Sequence, residues 1–270
     1  MDMKIADSTL VVTGGGNGIG QQLVLELLRR GARVAAVDLR ADSLAQTADL
    51  AAAGDRLSTH PVDVTDRAAV EALPDLVVQA HGQVDALVNV AGVIQHFVPF
   101  VDLDYPEMER VVAVNLWGVI HTCHAFLPLL RERPAAALVN VSSMGGLAPV
   151  PGQTIYGASK AAVTLFTEGL YAELQDSSVA VTTVIPGGVA TDIVGNSGAT
   201  VPGNRQEGSE DRAAGLTSAP DAARQIADGI EKGAFRVIVG KDARMLDRIS
   251  RLSPQRATEM IAKRMASLVN

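Results

Sequence analysis

Seven short apolar runs, rich in β-branched residues and separated by stretches of helical spacing, constrain this chain more than any other feature. They are "TLVVTG" (9–14), "ARVAAVD" (32–38), "LSTHPVD" (57–63), "VDALVNVAG" (84–92), "AALVNVSS" (136–143), "VAVTTVIPG" (179–187) and "FRVIVG" (235–240). Runs this apolar leave no wet face on a strand, which suits a parallel sheet covered on both sides. Between them, segments such as "GQQLVLELLRRG" put Leu23, Leu27 and Leu28 on one stripe and stop at Gly31, the pattern of an amphipathic helix with a glycine end. The alternation predicts an α/β fold: a doubly wound sheet of about seven parallel strands, with right-handed crossovers and helices on both faces. It predicts one domain spanning residues 1–270.

Composition narrows the setting. With 47% hydrophobic residues over 270 positions the chain can bury a substantial core. A net charge of −7 argues against a nucleic-acid or anionic-membrane partner. No uninterrupted stretch of about twenty apolar residues occurs, so no membrane span is expected. The first strand-like run begins at Thr9, leaving no room for a secretory leader, and Cys123 is the sole cysteine. These features predict a cytoplasmic protein without an intrachain disulfide.

The loop after the first strand, "TGGGNGIG" (13–20), opens the first helix. Glycines there permit a tight turn and a close approach of backbone to a pyrophosphate, which the helix N-terminus then attracts. Gly14, Asn17, Gly18, Ile19 and Gly20 are therefore candidate cofactor contacts. Asp38 closes the second strand, eighteen residues beyond Gly20, where a carboxylate can accept hydrogen bonds from an adenosine ribose. The same charge repels a 2′-phosphate, so NAD is expected over NADP, with Arg40 the residue that complicates this. Asp63 and Val64 end the third strand at the level of an adenine ring; capping of the helix in "TDRAAV" is the other reading of Asp63. Asn89, Ala91 and Gly92 end the fourth strand at the carboxyl edge, where ligands bind in open α/β sheets.

Further on, Tyr156 and Lys160 stand four apart, so in a helix they share one face a single turn apart. A free phenol has a pKa near 10 and gives up its proton reluctantly at neutral pH. A neighbouring ammonium group favours the phenolate. Ser142 and Ser143 lie upstream on a strand, where neighbours face opposite ways, so only one of the two can reach the same site.

With these motifs in order, the sequence resembles the short-chain dehydrogenase/reductase family from about residue 8 to 240, in its compact branch with a Rossmann-type sheet. The family's T-G-x-x-x-G-x-G pattern stands as Thr13, Gly14, Gly18 and Gly20. Its Asn-Asn-Ala-Gly element stands as Asn89, Val90, Ala91 and Gly92, with Val90 in place of the second Asn. Its helix asparagine matches Asn115, its serine Ser143, its Tyr-x-x-x-Lys Tyr156 and Lys160, and its Pro-Gly segment "PGGVAT" (186–191). The resemblance implies an NAD-dependent oxidoreductase interconverting a secondary alcohol and a ketone. Tyr156 would be the general acid/base and Ser143 would hold the substrate oxygen. Lys160 would also hold the nicotinamide ribose, and Asn115 would position a water beside Lys160. Pro186, Gly187, Val189 and Thr191 would flank the nicotinamide. The alternatives are a 3-ketoacyl thioester reductase and a non-catalytic, cofactor-sensing relative.

Uncharged stretches around the expected pocket lean toward an apolar or cyclic small substrate. A lid is expected over 190–217, where residues 195–217 are Gly-rich and polar, and a helical tail over 241–270 that covers the substrate mouth or another subunit. Gln95 and His96 either line the mouth or sit in a surface loop. His121, Cys123 and His124 lack convergent partners at a recognisable spacing, so no metal is expected. Ala158, Ala162, Phe166, Leu170 and Leu174 form an i+4 stripe beginning opposite Tyr156, which predicts burial against another copy: a homotetramer, with a dimer second.

Overall fold

A computed structural model of the chain describes residues 3–201 and 215–266. The strands are β1 (Thr9–Thr13), β2 (Arg33–Asp38), β3 (Leu57–Pro61), β4 (Ala86–Asn89), β5 (Ala136–Val141), β6 (Val179–Pro186) and β9 (Arg236–Val239), with a short pair β7 (Val189–Ala190) and β8 (Thr217–Ser218). Seven of them form one sheet in the order β3-β2-β1-β4-β5-β6-β9, and every pairing is parallel. The Rossmann-type doubly wound sheet expected from the sequence is present. The chain winds outward from β1 to β3, then returns to β4 on the other side of β1. That reversal opens a crevice at the carboxyl ends of β1 and β4.

Helices α1 (Gly18–Arg29), α2 (Ala41–Ala51) and α8 (Ala219–Glu231) cover one face; α3 (Arg67–His81), α5 (Gly118–Arg131) and α6 (Thr154–Glu173) cover the other. Strand β1 shows why both faces are dry: Leu10 and Val12 pack beside Leu23, Leu27 and Ile226, while Val11 packs beside Leu87, Leu130 and Phe126. Edge strand β3 is the least buried of the seven, and Pro61 ends it, as suits a position without a second neighbour.

The β7–β8 pair carried no sequence signal, because two residues are too few to show a period. It nevertheless fixes both ends of the expected lid, pairing Val189 with Thr217. Between them stands α7 (Ile193–Asn196); the rest of the lid, residues 202–214, lies outside the described residues, as do tail residues 267–270. The tail forms α9 (Lys241–Leu252) and α10 (Pro254–Arg264). Leu246, Ala257 and Ile261 bury themselves against Ala148, with Met144, Val150 and Met265 around them. The tail thus packs on this chain's own loop after β5.

One sequence reading needs correction. The stripe proposed to meet another subunit turns inward at its far end: Phe166, Leu170 and Leu174 pack into the core beneath α6. A 3.6-residue period rotates an i+4 row steadily around the helix, so a row that starts exposed at Ala158 finishes buried at Leu174. The outward apolar face consists instead of Ala161, Leu165 and Gly169, with Leu165 72% exposed. The helical run Tyr105–Arg131, comprising α4 (Tyr105–Val112), a π-turn (Ala113–Trp117) and α5, is long and apolar enough to cross a membrane. Its Val119, Cys123, Phe126 and Leu130 are buried in the core beneath the sheet.

Candidate active site

The crevice is a cavity of about 530 Å³ running from Asp38 at one end to Tyr156 at the other. Its Asp38 end is made mostly of backbone. A Cβ on Gly20 would lie 2.0 Å from the carbonyl oxygen of Gly14, and one on Gly14, whose φ is +69°, would lie 2.9 Å from the backbone of Ala91. Only glycine fits either place. The Thr13 hydroxyl accepts hydrogen bonds from the N–H groups of Val90 and Ala91 at 3.1 and 3.2 Å, which locks the end of β4 to the end of β1. The Asp38 carboxylate is held by the N–H of Gly16 (3.0 Å) and the N–H of Arg40 (3.1 Å). Arg40 itself turns away from Asp38 and donates to Asn196 at 2.8 Å, spanning the mouth of the cleft. Among the described residues the buried Asn17 amide nitrogen has no partner, and Asn17 lines the cavity with Gly18, Ile19 and Gly20. An orphaned donor beside a cradle that any Cβ would fill suits a phosphate-bearing ligand.

Asp63 and Val64 also line this end. One Asp63 oxygen accepts from the N–H and the hydroxyl of Thr65, whereas the cap of α3 is Asp66, which accepts from Ala69. Asp63 therefore shapes the turn before the helix and is not its cap.

At the other end, Ser143 accepts a hydrogen bond from the N–H of Gly145 at 3.0 Å, and Gly145 lies beside both the Ser143 hydroxyl and the Tyr156 ring. Burial pushes the Tyr156 phenol above its ordinary pKa, and a hydrogen bond with Ser143 partly offsets this. Lys160, 4% exposed, donates to the Val141 carbonyl at 3.0 Å. Burial lowers its pKa to about 8, because few groups replace the water that a charged ammonium has lost. A Cβ on Gly92 would lie 3.1 Å from Lys160 Nζ and 3.2 Å from Asn115 Oδ1. Gly92 thus lets the lysine and the asparagine come near one another.

The sequence candidates do not all reach the cavity. Asn115 sits in the π-turn, a distortion that often marks functional positions. Its amide is wholly buried: it accepts from the N–H of Val93 at 2.8 Å and donates to the carbonyl of Val93 and to Ser159. Asn89 also points away, donating to Asn140 at 2.9 Å and accepting from Thr122 at 2.8 Å. Its side chain is spent on a network between sheet and helices, and its neighbours Val90, Ala91 and Gly92 line the cavity instead. Ser142 likewise turns from the site, donating to the Lys160 carbonyl and accepting from Thr164, as strand alternation requires. In the "HTCH" helix, His121 lies against the Val64 carbonyl at 3.2 Å, and burial pushes the Cys123 thiol up to about 12.

Pro186, Gly187, Val189 and Thr191 line the wall between the two ends, and Thr191 faces Gly18 across the cleft. Sequence reasoning missed what holds this wall: the Asp242 carboxylate, from the first turn of α9, accepts from the N–H of Gly188 at 2.7 Å. A Cβ on Gly187 would strike that carboxylate. The substrate end is lined by apolar groups including Val93, Ile94, Phe97, Val150, Ile193 and Met265. Nothing in the sequence marked Met265 as a lining residue, since it arrives from the tail.

A family model described as short chain dehydrogenase matches residues 8–202. The putative oxidoreductase SadH of Mycobacterium tuberculosis is 37% identical over 258 residues, covering 93% of this chain and 93% of that protein. The 3beta-hydroxysteroid dehydrogenase 2 of Eggerthella lenta is 35% identical over 191 residues, covering 70% of this chain and 74% of that protein. Among solved structures, a short chain dehydrogenase/reductase from Burkholderia phymatum in complex with NAD superposes with a TM-score of 0.84 at 27% identity, covering 95% of this chain and 97% of that one.

Proposed function

The chain belongs to the short-chain dehydrogenase/reductase family and is an oxidoreductase of that family, and from this premise we propose that it interconverts a secondary alcohol and a ketone with NAD as the preferred cofactor. The observation that carries the proposal is the gathering of Tyr156, Ser143 and Lys160 at one end of a cavity whose other end holds Asp38 and the glycine turn. Asn17, Gly18, Ile19 and Gly20 would hold the pyrophosphate, Asp38 the adenosine ribose, and Lys160 the nicotinamide ribose. When bound, the nicotinamide supplies the hydride acceptor or donor.

The protein's own part is to hold the reacting oxygen and move its proton. Ser143 Oγ and Tyr156 Oη present two hydroxyls to one substrate oxygen. In alcohol oxidation Tyr156 accepts the proton; in ketone reduction it returns it. Help of this kind is typically worth roughly 10²–10⁴ in rate. Burial opposes the phenolate, and the ammonium of Lys160 acts in its favour; with a pKa of about 8 that amine is still largely charged at neutral pH. Asn115, through both backbone groups of Val93, keeps the floor beneath Lys160 in place, and a water beside it would complete a proton path.

The apolar lining supports a hydrophobic or cyclic alcohol as substrate, and the hydroxysteroid dehydrogenase named above suits that reading. A cytosolic setting accords with the single, buried Cys123. The outward face of α6 at Ala161, Leu165 and Gly169 supports a homotetramer, with a dimer second; light scattering that finds only a 28.1 kDa species would remove that assembly.

The test is ultraviolet absorbance of the reduced cofactor, with NAD⁺ or NADP⁺ and a panel of secondary alcohols, for the wild-type chain and Tyr156→Phe. NADH formation that greatly exceeds NADPH formation, lost in Tyr156→Phe while NADH still binds, is the expected result. Turnover that survives Tyr156→Phe overturns the mechanism.

A further inference from the structure

Helix α6 carries Tyr156 in its first turn yet begins without a cap of its own. Its N-cap residue, Gln153, makes no side-chain bond to the helix N–H groups. Those groups have no partner within the helix, and Ser, Thr, Asp or Asn usually supplies one for the second and third positions. In this chain the partner comes from another segment. The side-chain oxygen of Gln95 accepts from the N–H of Ile155 at 2.9 Å and from the N–H of Tyr156 itself at 3.0 Å. Two N–H donors converging on one point require an oxygen there, which fixes the orientation of the amide. Gln153 completes the join by donating its side-chain amide to the Gln95 carbonyl at 2.8 Å.

From this we infer that Gln95 is a positioning residue for Tyr156: a cap supplied from the loop after β4 that sets where the phenol stands over Ser143. The inference rests on the proposed role of Tyr156 as acid/base. Gln95 is completely buried, so water cannot replace its oxygen without a rearrangement. The segment that carries it is held throughout. Both backbone groups of Val93 bond to Asn115, and the N–H of Ile94 donates to Ser197. Gly92, in the same segment, packs against Lys160 Nζ. One stretch of four residues therefore references the lysine, the asparagine and the helix start to each other. Among the described residues the side-chain amide nitrogen of Gln95 has no partner, so what the position supplies there is an acceptor.

The acceptor is also neutral. A carboxylate there would preserve both hydrogen bonds but put a negative charge on the turn that carries the phenol, disfavouring the phenolate. The charged or titratable groups around this turn are Lys160 on α6, His96 beside Gln95, and Glu107 and Arg110 on α4. Glu107 and Arg110 pair with each other and bond to the backbone of His96 and Ile94 respectively.

The experiment compares Gln95→Glu, Gln95→Met and Tyr156→Phe in the full chain, using NAD⁺ and an alcohol that the wild type oxidises. Gln95→Met, which keeps the volume and loses the acceptor, should lower kcat about tenfold and leave the Kd for NADH unchanged, because the helix start loosens while the cofactor wall does not. Gln95→Glu should keep kcat within about twofold at high pH and move the acid limb of the kcat profile up by about one pH unit. A Gln95→Glu profile that superposes on the wild type, or shifts downward, overturns the inference. So does a Gln95→Met that loses NADH affinity in step with kcat. If Gln95→Met does not fold, the Gln95→Glu profile decides alone. Activity surviving in Tyr156→Phe would instead sink the acid/base reading, whereas a dead Tyr156→Phe beside an unmoved Gln95→Glu profile would sink only the positioning role.

Discussion

The two ends of the cavity are built by different means. At the Asp38 end the wall is glycine backbone packed on main chain, with the Asp38 carboxylate and the Thr13 hydroxyl accepting from N–H groups at neighbouring strand ends. At the Tyr156 end and in the wall beside it, buried side chains do most of the holding. Gln95 caps α6, Asn115 clamps Val93, and Asp242 holds Gly188. The first arrangement tolerates little, because an added Cβ meets main chain that cannot move. The second can be retuned one side chain at a time, which suits an end that must match a particular substrate.

Substitution at Gly20 should produce the largest effect of all. In Gly20→Ala the new methyl group would lie against the Gly14 carbonyl, with no flexible side chain to yield. The chain should lose NADH affinity by more than about 100-fold, and stability by at least the roughly 1–3 kcal/mol of an overpacked core. Fluorescence titration and thermal unfolding check both. Near-normal NADH binding would mean that the nucleotide end is as adaptable as the other and would erase the contrast.

Asp242→Asn should have a moderate effect. The wall at Gly187 and Gly188 packs against that carboxylate, and its hydrogen bond to Gly188 is of the charge-assisted kind. Replacing the charge should raise KM for NAD⁺ about fivefold, with the alcohol KM nearly unchanged. Steady-state kinetics with each substrate varied in turn would show it. An equal rise in both KM values would mean that Asp242 supports the tail helices rather than the cofactor wall.

The same contrast explains what could be read from the sequence. Seven apolar runs were legible because each strand's burial is written in its own residues, and Gly14, Gly18, Gly20 and Asp38 because local geometry demands them. Asn89 and Asn115 were legible as motif members, but the directions of their side chains were not, since these depend on Thr122, Asn140 and Val93 from other elements. Gln95 read as a residue of the mouth or of a surface loop, whereas it is wholly buried. Its role exists only once the loop after β4 meets the start of α6, sixty residues on. Asp242 and Met265 were hidden for the same reason: helix periodicity marks which side of the tail is apolar, not what that side closes.

Lys160 stands at the Tyr156 end, and its protonation gives the smallest and most discriminating prediction. Its pKa of about 8 lies below the ordinary 10.5 because burial disfavours the charged amine. Between those values the unfolded chain binds the proton that the folded chain releases, so this group's contribution to stability rises with pH from about 8 to 10.5. Above about 10 the Tyr156 phenol works the other way, since the unfolded phenol ionises while the buried one resists. Ribose hydroxyls placed against Nζ would give the ammonium the acceptors it lacks and raise its pKa. NADH binding near pH 8.5 should therefore take up a fraction of a proton, roughly half, falling toward zero near pH 6.5 where the amine is already charged. Calorimetry in two buffers of different ionisation enthalpy measures that uptake directly. Uptake that persists in Tyr156→Phe and vanishes in Lys160→Met would assign it to the lysine. No uptake in the wild type would mean that the cofactor leaves Lys160 in its apolar surroundings, and the hold on the nicotinamide ribose would have to come from the backbone, as it does at the Asp38 end.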